Sequence, residues 1–233
     1  SAARWGAPYL AAHRADLAEA LMHAVRSRPA LGVWCGAEIT HFAGHANGVT
    51  ASVTTGHGVG EAEGIFLVGA DGARSNIGGE LLNAPPRFTG YVAHRAMADA
   101  SEDMPGPLRL LLERRSVGAF LAPGAHLVAY PLRGGAAVNL VCVTRADAQP
   151  IRHGAAREAP LPPHAAAQFS AELAAFLGGL AWTPWPVLAQ HGSAKWSDGK
   201  HVALIGDAAH ACAPFAAQGA AMAIEDAWTL AAC

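Results

Sequence analysis

One short run limits the folds open to this chain: Val202-Ala-Leu-Ile-Gly-Asp-Ala-Ala-His210. Four apolar residues without polar alternation fit a strand covered on both faces, the habit of strands inside α/β sheets. The run ends on Asp207, a carboxylate delivered to the C-terminal edge of the strand, where ligands of open α/β sheets bind. Small residues accompany it (Gly206, Ala208, Ala209, Ala216, Ala217, Gly219, Ala220) and allow close backbone approach to something flat and large. An alanine-rich helical pattern follows from Gln218 to Ala232, and its free N-terminal amides and positive dipole end face the same crevice. Strand, carboxylate, small-residue loop and helix N-terminus describe a crevice for a dinucleotide or flavin. A plain βα turn with Asp207 as a helix N-cap is the alternative.

A second apolar run, Ile65-Phe-Leu-Val-Gly-Ala70, leads into Asp71-Gly72, Arg74 and Ser75. It reads as the buried second arm of a hairpin whose first arm is Val49–Thr55, with the break at Gly56-His-Gly-Val-Gly60. Before it, Leu17, Leu21 and Val25 at i, i+4, i+8 predict an amphipathic helix over Arg14–Val25. From Arg87 to Thr144 the pattern turns β-rich, with strands predicted at Thr89–Met97, Val117–Leu121, His126–Leu132 and Ala137–Val143 in an antiparallel meander. Ala146–Pro163 reads as an exposed loop, Phe169–Leu177 as helix, and Pro184 with Pro186 as a connector. Two α/β pieces flanking a β-rich insert give three segments: residues 1–84, 85–180 and 181–233. There is no internal repeat.

Composition narrows the function. The 233 residues are 52% hydrophobic and 15% charged, with 16 basic against 18 acidic side chains. No basic excess marks a nucleic-acid binder, and no apolar stretch approaches the ~20 residues of a membrane span. The N-terminal residues carry no signal-peptide pattern, so a cytoplasmic protein with reduced thiols is expected. Four cysteines without C-x-x-C spacing signal neither zinc nor a redox pair. His41 and His45 stand four apart, but Gly44 and strand-like neighbours argue against a helical metal pair, so no metal site is expected. The last helix has no encoded stop, which suggests part of a longer protein.

Taken together, Gly69-Ala-Asp-Gly-Ala-Arg-Ser75 and Gly206-Asp-Ala-Ala-His-Ala-Cys-Ala-Pro214 resemble the signatures of the group A flavoprotein aromatic hydroxylases, which include salicylate and 3-hydroxybenzoate hydroxylases. Trp5-Gly-Ala-Pro-Tyr9, His13-Arg-Ala-Asp-Leu17 and Tyr130-Pro-Leu-Arg-Gly-Gly135 with Asn139 extend the resemblance over nearly the whole chain. It implies an α/β FAD-binding domain of glutathione-reductase-like Rossmann type, incomplete here, with an inserted β-rich substrate domain. It also implies hydroxylation of a phenolic or N-heteroaromatic acid with NAD(P)H and O2, through a flavin C4a-hydroperoxide. A small aromatic substrate is the implied partner, and the resemblance leaves room for a homodimer. By resemblance, Asp207 binds the FAD ribityl chain and Gly206 belongs to the same loop. Pro214 sits beside the isoalloxazine, amides near Gly219 and Ala220 hold its pyrimidine oxygens, Asp71 and Gly72 lie near the pyrophosphate, and Arg14 lies near the ribityl phosphate. His126 and Tyr130, four apart on one strand, share a face. The resemblance makes them pocket residues, with His126 taking the phenolic proton and Gln218 lining the same pocket.

Three departures stand against that pattern. No G-x-G-x-x-G follows a strand and opens a helix, and Gly56–Gly60 reads as a hairpin turn. Gly78 stands where an arginine often closes the Asp-Gly motif, and Ala217 where many members carry glycine. The alternatives are a truncated, non-catalytic remnant, or a flavoprotein epoxidase or reductase of the same fold. His210 is expected to support the loop and Cys212 to be a small packed residue.

Overall fold

The computed structural model describes residues 4, 6–7, 10–82, 85–149, 158–191 and 195–233. The Trp5, Pro8 and Tyr9 part of the N-terminal motif and residues 150–157 of the expected loop lie outside them. Strands are β1 (Glu38–His45), β2 (Gly48–Thr55), β3 (Gly58–Gly64), β4 (Leu67–Gly69), β5 (Arg87–Asp99), β6 (Gly118–Ala122), β7 (Ala125–Leu132), β8 (Ala137–Arg145), β9 (Thr183–Ala189) and β10 (Val202–Leu204). Helices are α1 (Arg14–Arg26), α2 (Asn76–Leu82), α3 (Gly106–Arg114), α4 (Pro163–Ala166), α5 (Ala171–Gly178), α6 (Asp207–His210) and α7 (Gly219–Ala232). None of the described helices is long and apolar enough to cross a membrane. Two compact units result, Ser1–Gly32 with Gly90–Pro186, and Val33–Thr89 with Val187–Cys233. Ser1–Gly32 thus groups with the β-rich unit, whereas the sequence pattern places residues 1–84 in one piece.

The β-rich unit is built on a five-stranded sheet of order β6-β7-β8-β5-β9. The meander β6-β7-β8 is as expected, and burial alternates most clearly along β7. Along β7, Ala125, Leu127 and Ala129 are buried while His126, Val128 and Tyr130 are half-buried. The buried set joins Val138, Leu140 and Cys142 of β8 under Leu108 of α3, Ala165 of α4 and Leu173 and Leu177 of α5. Trp182 is fully buried there, and its Nε1 donates to the Leu177 carbonyl at 2.9 Å. Burial of the thiol in this layer pushes Cys142 up to about 12. Helix α3 was not anticipated, although Leu108, Leu111 and Leu112 carry helical spacing. Pro184 and Pro186 lie inside β9 rather than in a connector. An edge strand tolerates them because one side of its backbone owes no ladder hydrogen bonds. The spacing of Leu17, Leu21 and Val25 does form α1, yet no residue of α1 is buried.

The second unit holds a three-stranded antiparallel sheet, β1-β2-β3, and a two-stranded parallel pair, β4 with β10. The hairpin turn at Gly56-His57 is as expected, joining Thr55 to Gly58 in register. Its second arm, however, is β3, not Ile65–Ala70. Register with β2 overrides the weak strand propensity of Gly58-Val-Gly-Glu-Ala-Glu-Gly64. The apolar run after it forms β4, and it is not covered on both faces: Ile65 is 81% and Val68 39% exposed. Val49, Ile77, Val202, Leu204 and Ala209 make the core of this unit.

Candidate functional site

The parallel pairing of β4 with β10 joins the two motifs. Leu67 faces Val202, Val68 faces Ala203 and Gly69 faces Leu204, so both strands end at one edge and both acidic loops leave from it. At position 69 a Cβ would lie 2.6 Å from Leu204 Cδ2 and 3.0 Å from Ile77 Cγ2, so those side chains would have to shift to admit one. Past β4, Gly72 takes φ 83° and turns the chain into α2. The Asp71 carboxylate accepts from the amide of Asn76 at 2.9 Å and from the Ser75 hydroxyl. Ser75 Oγ in turn accepts from the Gly78 amide at 2.6 Å. Asp71 therefore fixes the loop by satisfying orphan donors at a helix start. Gly78 explains itself too: a Cβ would stand 2.8 Å from the Ala208 carbonyl oxygen, so α2 approaches the second motif closely enough to exclude any side chain.

Past β10, Gly206 adopts φ 58°, ψ −144°, a glycine conformation, and a Cβ there would sit 3.1 Å from Ala223 Cβ on α7. Its amide donates to Asp226 Oδ2 at 2.7 Å, and His210 Nε2 lies 2.6 Å from the same oxygen. His210 thus supports the loop, as expected, packing edge-on against Trp196 at 5.4 Å. Asp226, on α7, is the residue that sequence reasoning gave no role. Cys212, expected to be packed, is exposed, because it follows α6 in the stretch leading to Pro214, which opens a 3-10 turn rather than a core element. Ala217 has φ 52°, the left-handed region that favours glycine.

Asp207 itself is exposed, and among the described residues its carboxylate accepts no hydrogen bond. Its Oδ1 stands 3.9 Å from where a Gly219 Cβ would be. Gln218 leads α7 without a side-chain cap, so the first amides, those of Gly219 and Ala220, point outward beside that carboxylate. An acceptor and a set of donors thus meet at an open, glycine-lined loop. No group of histidine, cysteine and acidic residues among the described residues could hold a metal, and His41 Nδ1 instead lies 3.1 Å from Glu80.

His126, Tyr130 and Arg14 belong to the other unit, whereas Asp71, Gly72, Gly206, Asp207, Pro214, Gln218, Gly219 and Ala220 share this one. His126 and Tyr130 do share a face of β7, the one turned away from the helices, with Val143 and Asn139 as their partners across β8. Burial lowers His126 below the ordinary imidazole value. Arg14 is exposed at the first turn of α1.

Parallel strands that send a carboxylate and a helix N-terminus to one edge define an α/β protein built for a nucleotide cofactor. The chain belongs to the FAD-binding domain family, whose model matches residues 6–233. It is 32% identical over 240 residues to a 3-hydroxybenzoate 6-hydroxylase of Klebsiella oxytoca, covering 97% of this chain and 55% of that protein. It is 34% identical over 233 residues to the 3-amino-4-hydroxybenzoate 2-monooxygenase PtmB3 of Streptomyces platensis, covering 98% of this chain and 55% of that one. In fold it matches a salicylate hydroxylase substrate complex, with a TM-score of 0.72 at 24% identity over 94% of this chain and 56% of the other. It also matches Klebsiella pneumoniae HpxO complexed with FAD and uric acid, at 0.68 and 23% over 92% and 52%. The chain spans about half the length of the curated relatives it matches.

The residues present fit FAD. Gly219 leaves the start of α7 without a side chain where a planar group must approach, Asp207 offers an acceptor for hydroxyls, and the α7 amides offer donors for carbonyl oxygens.

Proposed function

We propose that this chain is part of an FAD- and NAD(P)H-dependent monooxygenase that hydroxylates a phenolic or N-heteroaromatic acid with O2. The observation that carries the reading is the exposed Asp207 carboxylate beside the uncapped N-terminus of α7. The names of the relatives, hydroxylases and monooxygenases of substituted benzoates, support the reaction class. Bound FAD supplies the electron-transfer and oxygen-activating chemistry. Asp207 holds its hydroxyls, Gly219 and Ala220 donate to its ring oxygens, and Pro214 stiffens the loop between them. Gly72 and the Asp71-capped turn shape the loop near its phosphates.

His126 is the proton acceptor for the substrate hydroxyl. Burial lowers its pKa and so favours the neutral imidazole, the state a base requires. Tyr130, on the same face, orients that hydroxyl.

The test is 3-hydroxybenzoate-stimulated NAD(P)H oxidation with product analysis, in the protein carrying this chain and in His126→Ala. Turnover is expected to fall by about 10²-fold or more, most strongly at low pH where the phenol does not ionise unaided, with FAD content unchanged. Unchanged turnover across the pH range would remove His126 from the mechanism. Absence of any aromatic-stimulated oxidation in the parent protein would overturn the whole reading.

A further inference from the structure

Resting on the reading of the Asp207 loop as the cofactor site, we infer that Asp226 is a positioning residue for FAD: it ties Asp207 to the helix whose first amides are the donors, and cofactor affinity depends on that tie. The contacts of its carboxylate carry this. Oδ2 of Asp226 takes two hydrogen bonds, from the Gly206 amide at 2.7 Å and from His210 Nε2 at 2.6 Å. A carboxylate only accepts, so the His210 proton in this contact sits on Nε2. The two donors stand at the two ends of α6, Gly206 as the residue before it and His210 as its last. Between them the turn closes on itself, since the amides of Ala209 and His210 donate to the Gly206 carbonyl at 2.9 and 3.0 Å. One oxygen on α7 therefore grips both ends of the turn that carries Asp207.

The surroundings hold that grip in place. Ala223, three residues before Asp226 and so on the same face of α7, is what a Cβ at Gly206 would meet at 3.1 Å. The His210 ring packs edge-on against Trp196 at 5.4 Å, and the Trp196 carbonyl accepts from the Leu204 amide of β10 at 2.7 Å. The imidazole is thus braced on one side by a segment bonded to β10 and on the other by α7. Gly206 is buried whereas Asp207 is exposed. Loss of Asp226 orphans a buried amide directly beside the residue that meets the cofactor. Asp226 itself stands away from the donors: at about 1.5 Å per residue it lies about 10 Å along the helix from Gly219. Its half-buried carboxylate is engaged with the loop, so it acts on the cofactor through Asp207.

A double-mutant cycle tests this. FAD binding is titrated by flavin fluorescence in the 233-residue chain, in Asp226→Ala, Asp226→Asn and Asp207→Ala, and in each Asp226 change combined with Asp207→Ala. Circular dichroism checks the fold of each variant. Asparagine keeps a carbonyl oxygen for the two donors but loses the charge. Expected is about tenfold weaker binding in Asp226→Ala and about fivefold in Asp226→Asn, but less than about twofold further loss from either once Asp207 is alanine. A residue that acts through Asp207 then has nothing left to position. The same factor with and without Asp207, or unchanged affinity in Asp226→Ala, overturns the positioning role and leaves the cofactor reading standing. Should Asp226→Ala not fold, the asparagine cycle decides by the same criterion. A folded parent chain that takes up no FAD counts against both.

Discussion

Gly206→Ala probes how the Asp207 loop is held on α7. At φ 58°, ψ −144° an L side chain is strained by about 1–3 kcal/mol. The new Cβ would also meet Ala223 Cβ at 3.1 Å, and overpacking of this kind costs about 1–3 kcal/mol. The helix can yield by a few tenths of an ångström, so the lower half of the contact range applies, and the sum is roughly 2–5 kcal/mol. Ala223→Gly removes the contact but not the backbone strain, and a glycine inside a helix itself costs about 1 kcal/mol. In urea unfolding followed by circular dichroism, the double variant should therefore be more stable than the two single losses summed, with a coupling of about 1 kcal/mol. A loss below about 0.5 kcal/mol for Gly206→Ala, or strict additivity, would refute the idea that this glycine is fixed by both conformation and contact.

Three further outcomes are expected. His94 is buried beside Thr144, and burial first, then the charge of His164, lowers it to about 4. The unfolded imidazole titrates near 6.5, so the unfolded state binds the extra proton between pH 6.5 and 4 and stability falls as pH drops through that window. The fall attributable to this group, by about 3 kcal/mol at most, should vanish in His94→Gln when unfolding is measured from pH 7 to 4. Asp71→Ala removes the acceptor for the Asn76 amide and the Ser75 hydroxyl, and should lower stability by about 1–2 kcal/mol in the same assay, as loss of a helix cap does. An unchanged unfolding midpoint would deny the capping role. Trp182→Ala empties the fully buried site under α5 and removes the donor to Leu177, so a loss of about 3–5 kcal/mol is expected. A loss under about 1 kcal/mol would show that the site is not close-packed.

The meander was legible because β-branched and apolar residues fill β7 and β8 between glycine-bearing turns, and along β7 burial alternates, with Ala125, Leu127 and Ala129 in and His126, Val128 and Tyr130 out. Helix α7 and its start at Gly219 were legible from the alanine run and the small-residue loop before it. Pairings were not. Nothing local in Leu67–Gly69 says that it lies parallel to Val202–Leu204, because that contact is set by the enclosing fold. Hairpin arm β3 was hidden by its glycines and glutamates, whose propensity is poor and whose place is dictated by β2. The prolines of β9 misled because a turn signal and an edge strand tolerate the same residue. Within the site, Asp207 announced itself by its position after a strand. Asp226, two turns into α7, did not, since a carboxylate on a helix surface is ordinary until a buried amide and an imidazole are found against it.

The most direct measurement is FAD binding by the 233-residue chain and its Asp207→Ala variant, followed by flavin fluorescence and by the visible spectrum after removal of excess cofactor. Expected is retained flavin in the parent chain and at least tenfold weaker binding in Asp207→Ala, with unchanged circular dichroism, as loss of a charge-assisted acceptor implies. A folded parent chain that retains no flavin, or an Asp207→Ala variant that binds it equally well, would contradict the assignment of the Asp207 loop as the cofactor site.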